Sequence, residues 1–221
     1  MPTAAKGYYT ADGKRVPSVT TILGAFKSNV DGLLYWAWNE GREGRDFRET
    51  SKKACDAGTL AHDAVEGWIR RKQKPNWNAY HPIADQDVIG KAKTAYESFR
   101  EWAKQSRIKV DQTEVQLVSE KHRFGGCFDG ITFGGKRAIL DWKTSGGIYP
   151  DYAKQVRAYG GLWDEHHPDD PVTHGYHLIR FDKQYGDFHH HYWSELDSAW
   201  ESFLLLRRLY DIEKEVKARC K

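Results

Sequence analysis

Cysteine is scarce in this chain: Cys55, Cys127 and Cys220 are the only three in 221 residues, and they lie far apart. That number and spacing exclude a disulfide framework and the grouped thiolates of a zinc or iron–sulfur centre, and they imply a reducing compartment. Long apolar runs are missing as well. No stretch approaches the roughly 18 residues of a membrane-crossing helix, and Met1 to Arg15 lack the apolar core of an export signal, so a cytoplasmic protein without a membrane partner is expected. A strong excess of one charge is also absent. The net charge of +3 and a pI near 8.6 permit a nucleic-acid partner without requiring one.

What remains is a chain long enough for one domain with a real apolar centre. Asp12-Gly13 signals a turn between short extended pieces, and Ser18 is placed to cap a short helix. Gly32 to Arg48 reads as an aromatic helical segment broken near Gly41 and Gly44. Gly58-Thr59 opens a helix through Arg71, in which Leu60, Ala64, Val65 and Trp68 pack while His62 and Glu66 share another face. Residues 72–82 have loop composition, and Asp85 to Gln105 returns to helical spacing. Strands are expected over 109–119, 123–133 and 136–144, a helix over 152–163, strands over 173–181 and 187–193, and a last helix over 198–217. We divide the domain into an N-terminal wall or arch (1–57), a core (58–193) and a C-terminal helix (194–221).

The densest chemistry lies in Gly125-Gly126-Cys127-Phe128-Asp129-Gly130 and in Asp141-Trp142-Lys143. On a strand, Asp141 and Lys143 project the same way, roughly 6.6 Å apart, and Trp142 points into the opposite layer. A carboxylate beside an amine suits phosphodiester hydrolysis, where carboxylates hold Mg²⁺ or Mn²⁺ and the amine orients the attacking water. The bland alternative is a solvated strand face. Geometry adds a condition: a two-residue turn at Gly134-Gly135 pairs Asp129 with Leu140 and sets Asp129 and Asp141 on opposite faces. Shared ligation therefore needs an odd-length turn near Gly135, a bulge, or a bend at Asp129.

Other clusters are less specific. His189-His190-His191 and His166-His167 offer at most two aligned zinc ligands, and we read them as solvent-facing imidazoles. Basic groups at Arg70-Arg71-Lys72, Lys91 with Lys93, Lys121-His122-Arg123 and Arg207-Arg208 suit phosphates or simply solvent. Tyr35, Trp36, Trp38 and Trp77 are candidates for stacking on unpaired bases.

Taken in order, Gly58-x-x-x-His62, Glu114, Gly126-x-x-Asp129, Asp141-x-Lys143 and Gln155-x-x-x-Tyr159 resemble the RecB-type exonuclease branch of the PD-(D/E)XK nucleases over about residues 58–163. Val16-Pro17-Ser18-Val19-Thr20 and Leu34-x-Trp36-Ala37 are similar to phage-encoded relatives and to mitochondrial genome maintenance exonuclease. The resemblance implies an α/β fold, a central mixed sheet flanked by helices, with a helical N-terminal portion. It implies a metal-dependent DNA exonuclease acting at strand ends and favouring single strands, in phage-type replication, recombination or repair. Asp129, Asp141, His62 and the Trp142 carbonyl would hold Mg²⁺ or Mn²⁺, with Glu66 and Glu114 as further candidates; imidazole favours Mn²⁺. Lys143 would position water, Gln155 and Tyr159 would brace the site with their polar ends toward Lys143, and Tyr159, Arg70, Arg71, Lys121 and Arg123 would contact DNA. No iron–sulfur cluster and no nucleotide are expected, since the thiolates and a Gly-Lys-Ser/Thr phosphate loop are missing. Partners would be DNA and a helicase, recombinase or single-strand-binding protein in a bacterial or phage-infected cytoplasm. A structure-specific endonuclease and an inactive DNA-binding module on the same fold stay open.

Overall fold

The computed structural model describes residues 7–27, 30–82, 84–132 and 136–220. The Asp12-Gly13 turn joins β1 (Tyr8–Tyr9) to β2 (Arg15–Val16). Ser18 then caps α1 (Val19–Ala25) by accepting the Thr21 N–H, which satisfies one of the orphan donors of the first turn. After α2 (Val30–Arg42), the helix expected from Gly58 begins earlier: α3 runs Phe47–Arg71, and the Asp46 carboxylate accepts from the Arg48 N–H at its start. Gly58 lies inside α3 because a Cβ there would come within 2.8 Å of Thr144 Oγ1. That glycine marks a close helix-to-loop approach and no helix boundary. The stretch read as loop contains one 3-10 turn, Trp77–Tyr80, before α4 (Gln86–Gln105). Among the described residues no helix is long and apolar enough to cross a membrane.

The second half is a five-stranded mixed sheet in chain order: β3 (Val110–Ser119), β4 (Phe124–Thr132), β5 (Ile139–Lys143), β6 (Tyr176–Phe181) and β7 (Phe188–Trp193). All neighbours are antiparallel except β5 and β6, which are joined in parallel through the crossover helix α5 (Pro150–His166). The last helix is α6 (Asp197–Arg219). One apolar layer joins α3 and α4 to Leu140, Trp142, Ile179 and Phe181; the other joins α1, α5 and α6 to Phe124, Phe128, Ile131, Ile139 and Leu178. The result is a mixed α/β architecture, a sheet between two helical layers.

Two departures from regular pairing shape the middle of the sheet. The expected hairpin tip, positions 133–135, lies outside the described residues, but the pairs Gly130–Leu140 and Ile131–Ile139 set a register centred on position 135. That is the odd-length register, which puts Asp129 level with Asp141. Further, Phe128 and Ile131 pack in the same layer although they are three apart, so β4 reverses its faces at Asp129 and Gly130. On β3, Glu114 adopts a left-handed φ of 52° in mid-strand, between the pairs Thr113–Gly130 and Val115–Phe128. Such a conformation costs a non-glycine residue roughly 1–3 kcal/mol and concentrates at functional sites. Of the irregularities anticipated from the sequence, the odd-length register and a change of face at Asp129 are both present.

At the other side of the sheet, Trp102 Nε1–H donates to His190 Nδ1 at 3.3 Å, and His190 Nε2 meets His177 Nδ1 at 2.8 Å. This relay requires neutral His190 carrying its proton on Nε2. Burial, with His190 adding to it, pushes His177 down to about 4. Folded His177 thus takes up a proton at lower pH than the unfolded chain, whose histidine titrates near 6.5. Stability is complete above about 6.5 and declines as pH falls toward 4, by roughly 1–2 kcal/mol after allowance for partial exposure. Urea unfolding at pH 7.5 and 5 should show this loss in the wild type and a smaller one in His177→Gln. Equal pH dependence in both proteins would remove the histidine relay as its source.

Candidate active site

The face reversal at Asp129 decides what its carboxylate can reach. Among the described residues the β4–β5 ladder runs from Thr132, whose N–H donates to the Ala138 carbonyl, through Ile131 and Gly130; beyond Gly130, Asp129 Oδ2 accepts the Trp142 N–H at 2.6 Å, standing in for a backbone carbonyl of the ladder. The two strands therefore part at Asp129 and Asp141, and a notch opens between α3 and α5. From α3, His62 Nδ1 lies 3.2 Å from Asp129 Oδ1. From β5, Asp141 is buried and forms an ion pair with Lys143 through Oδ2, an oxygen that otherwise makes no hydrogen bond. Four of the residues singled out in the sequence, His62, Asp129, Asp141 and Lys143, converge here.

Their charges are strongly interdependent. Burial pushes the Asp141 carboxyl up to about 6, Asp129 adds to the rise, and Lys143 opposes it. Burial also penalises charged Asp129, yet His62, Lys143 and the Trp142 N–H outweigh it and hold Asp129 below the usual carboxylate range. For His62, burial works downward, but Asp129 overrides it and lifts the imidazole above its ordinary value. Lys143 behaves likewise: burial disfavours the ammonium, and Asp141 with Asp129 raises it. Lys143 is thus a fixed cation that donates hydrogen bonds and is a poor general base.

Two further acids border the notch. Glu114 is raised by burial, by Asp129 and by Glu66, and it accepts the Cys127 thiol at 3.5 Å. Cys127 itself is pushed up to about 12 by burial and by Glu114, which makes it a poor nucleophile. Glu66 is held by Arg70 at 3.1 Å. Among the described residues no three His, Cys, Asp or Glu side chains stand preformed around one ion position. The donor set nevertheless suits a hard divalent cation: buried carboxylates whose charges raise the pKa of Asp141 and Glu114, beside an imidazole. The charge such an ion brings is the charge these acids lack.

Helix α5 supplies the opposite wall. Gln155 Nε2 donates to the Tyr159 hydroxyl at 2.8 Å, and both side chains are buried. Burial, then Asp141, drives Tyr159 well above its ordinary value. Gly126 permits this fit, since a Cβ there would lie 2.8 Å from the Tyr159 ring. The α5 group beside Lys143 is Tyr152, whose ring centre is 5.1 Å from the ammonium. Sequence reasoning passed over Tyr152, although Tyr152, Gln155 and Tyr159 follow a three-then-four helical spacing. It also passed over Arg180, which pairs with Lys143 in the parallel ladder, binds Asp182 at 3.1 Å and reaches the Ser145 carbonyl.

Of the basic residues considered for DNA, Arg70 adjoins the notch through its ion pair with Glu66. Arg70 donates to Thr113 through its side-chain and backbone oxygens, so it braces β3 against α3. Arg71 follows on the same last turn of α3, where its guanidinium approaches Gly67. Lys121 and Arg123 sit in the β3–β4 turn, with Arg123 paired to Asp12, and Asp129 lies about 17 Å further along the strand. Of the four aromatics considered for stacking, Tyr35 and Trp38 are exposed, while Trp36 packs edge-on to Phe47 and Trp77 packs on Tyr80 and Tyr96.

No protein-family model matches the chain, and no curated protein matches it in sequence. Among solved structures, it is similar to a Eubacterium rectale protein named "Putative exonuclease", at 12% identity and a TM-score of 0.49, over 67% of this chain and 64% of that one. The match thus spans less than two thirds of that protein. A second similarity, to the protein SSO0001, covers 68% of this chain and 82% of that one at 14% identity and a TM-score of 0.35. Likenesses this distant carry no weight for function, which has to be argued from the notch.

Proposed function

We propose that this protein is a metal-dependent nuclease of the PD-(D/E)XK type, RecB branch, that hydrolyses DNA phosphodiester bonds at strand ends and favours single strands. The observation that supports it most is the convergence of His62, Asp129, Asp141 and Lys143 at the place where β4 and β5 part. Asp129, Asp141, His62 and the Trp142 carbonyl would hold Mg²⁺ or Mn²⁺, with Glu66 and Glu114 next to them. The bound cation supplies positive charge to the phosphate oxygens and acidity to the attacking water. Lys143, kept protonated by its two carboxylates, donates to the phosphate or to that water and fixes the line of attack. Asp129 holds the Trp142 backbone in place and orients His62. Tyr159 and Gln155 close the notch on the α5 side and limit bulk water. Cleavage leaves a 5′-phosphate and a 3′-hydroxyl. Exposed Tyr35 and Trp38 on α2 supply stacking surface for unpaired bases. A helicase, recombinase or single-strand-binding protein in the cytoplasm of a bacterium or phage-infected host would deliver such ends.

The test is digestion of end-labelled linear single-stranded, linear duplex and circular single-stranded DNA with Mg²⁺, Mn²⁺ or EDTA, for wild type and Lys143→Ala. Loss of linear single strands alone, dependent on the cation and abolished by the substitution, is the expected outcome. Cut circles would make the protein an endonuclease. Binding without cleavage under every condition would leave a DNA-binding module.

A further inference from the structure

Beside the notch lies a cavity that the chemistry above does not use. It measures about 350 Å³, is open to solvent on one side and is bordered by α1, α2 and the first turn of α5, with Leu23, Lys27, Leu33, Tyr149, Tyr152 and Gln155 in its lining. This is the low end of the ~300–1,000 Å³ of small-molecule sites, room for one planar ring system. Its walls are apolar and aromatic: Tyr149 and Leu33 are 42% and 44% exposed, so each offers uncovered surface, and Tyr149 meets Tyr152 edge-on with ring centres 5.6 Å apart.

Two features tie the cavity to the reaction. Tyr152 is common to both, since the ring that lines the cavity also lies beside the Lys143 ammonium, 5.1 Å from it. Gln155, only 8% exposed, lines the cavity as well; its Nε2 is committed to Tyr159, and its amide oxygen accepts no hydrogen bond among the described residues. An aromatic slot with one accessible amide acceptor and a rim ammonium, Lys27, matches a nucleobase with its adjacent phosphate. Asp151 also borders the cavity, and Lys154 neutralises it at 2.9 Å.

We propose that this cavity receives one unpaired nucleobase of the substrate strand, flanking the phosphate held at Lys143, with Tyr149 and Leu33 enclosing the ring and Gln155 accepting from its exocyclic amine. This rests on the nuclease reading and adds a physical source for strand preference: a base that enters the slot has left its partner, so a continuous duplex cannot fill it. A pyrimidine or purine amine facing Gln155 also predicts weaker seating of thymine, which has no exocyclic amine.

The experiment separates the two proposals. Single-stranded oligonucleotides carrying 2-aminopurine at successive positions from the end are bound in EDTA, and fluorescence and affinity are read for wild type, Leu33→Ala and Tyr149→Ala. Both side chains are partly exposed, so neither truncation threatens the fold. Expected is quenching confined to one position, with affinity about tenfold weaker in Tyr149→Ala and the quench lost. In parallel, an abasic site at that position should raise KM for cleavage of the wild type about tenfold and leave Tyr149→Ala unchanged. Binding without position-specific quenching, or wild-type affinity in both variants, would overturn the slot even if the protein cleaves DNA. Quenching that persists while Mg²⁺ and Mn²⁺ give no cleavage would uphold the slot and overturn the nuclease reading.

Discussion

Asp129→Asn is expected to lower metal-dependent DNA cleavage by at least roughly 10²–10³-fold with little change in melting temperature. The asparagine oxygen can still accept the Trp142 N–H that Asp129 Oδ2 accepts at 2.6 Å, so the parting of β4 and β5 survives. What disappears is the charge. A neutral amide is a weak donor to a divalent cation, and it no longer sustains the imidazolium of His62, whose pKa should fall below its ordinary value because burial and Lys143 then dominate. Cleavage kinetics paired with the histidine titration by NMR test both halves. Asp141→Ala is the poorer experiment, because it strands the Lys143 ammonium in a site that is 17% exposed, without its counter-charge. Breaking a buried pair this way costs about 3–5 kcal/mol, and lost folding would imitate lost chemistry. Activity within tenfold of wild type in a folded Asp129→Asn protein would remove this carboxylate from the mechanism.

Much of the notch was legible because strands and helices obey simple periods. Alternation placed Asp141 with Lys143 and sent Trp142 to the other layer, as its packing with α4 bears out. The three-to-four spacing put His62 on the face of α3 opposite the packing residues, where it meets Asp129. Even the need for an odd register followed from counting residues across the hairpin, and the Gly130–Leu140 pair satisfies it. Three features were illegible, each for a physical reason. The left-handed Glu114 has no local signature, since glutamate is not a residue that prefers positive φ. The start of α3 at Asp46 was masked by Gly58, whose missing side chain serves packing on Thr144. Tyr152 and Arg180 become neighbours of Lys143 only through the β5–α5–β6 crossover, a contact that no spacing within one element reveals. Surface charge was the least informative signal. Arg70 and Arg123 have intramolecular uses, to β3 and Asp12.

Trp142→Ala should be the most damaging single truncation in the sheet, at about 3–5 kcal/mol of stability. Its ring is 3% exposed and lies within 5.3–6.2 Å of the ring centres of Phe99, Trp102 and Phe181, which knit β5 and β6 to α4. Removing it opens a cavity at the junction of four large rings, and such groups cannot collapse without moving their backbones. The same residue joins fold to chemistry: its N–H holds Asp129, and its two neighbours in sequence are Asp141 and Lys143. A destabilised β5 therefore loosens all three at once. Trp142→Phe keeps most of the contact area and should cost less than half as much. Urea unfolding of the two variants, with cleavage rates normalised to the folded fraction, tests the link. If Trp142→Ala loses stability but keeps full activity per folded molecule, then the notch is held by Asp129 and His62 alone, and the aromatic layer beneath it is support for the fold only.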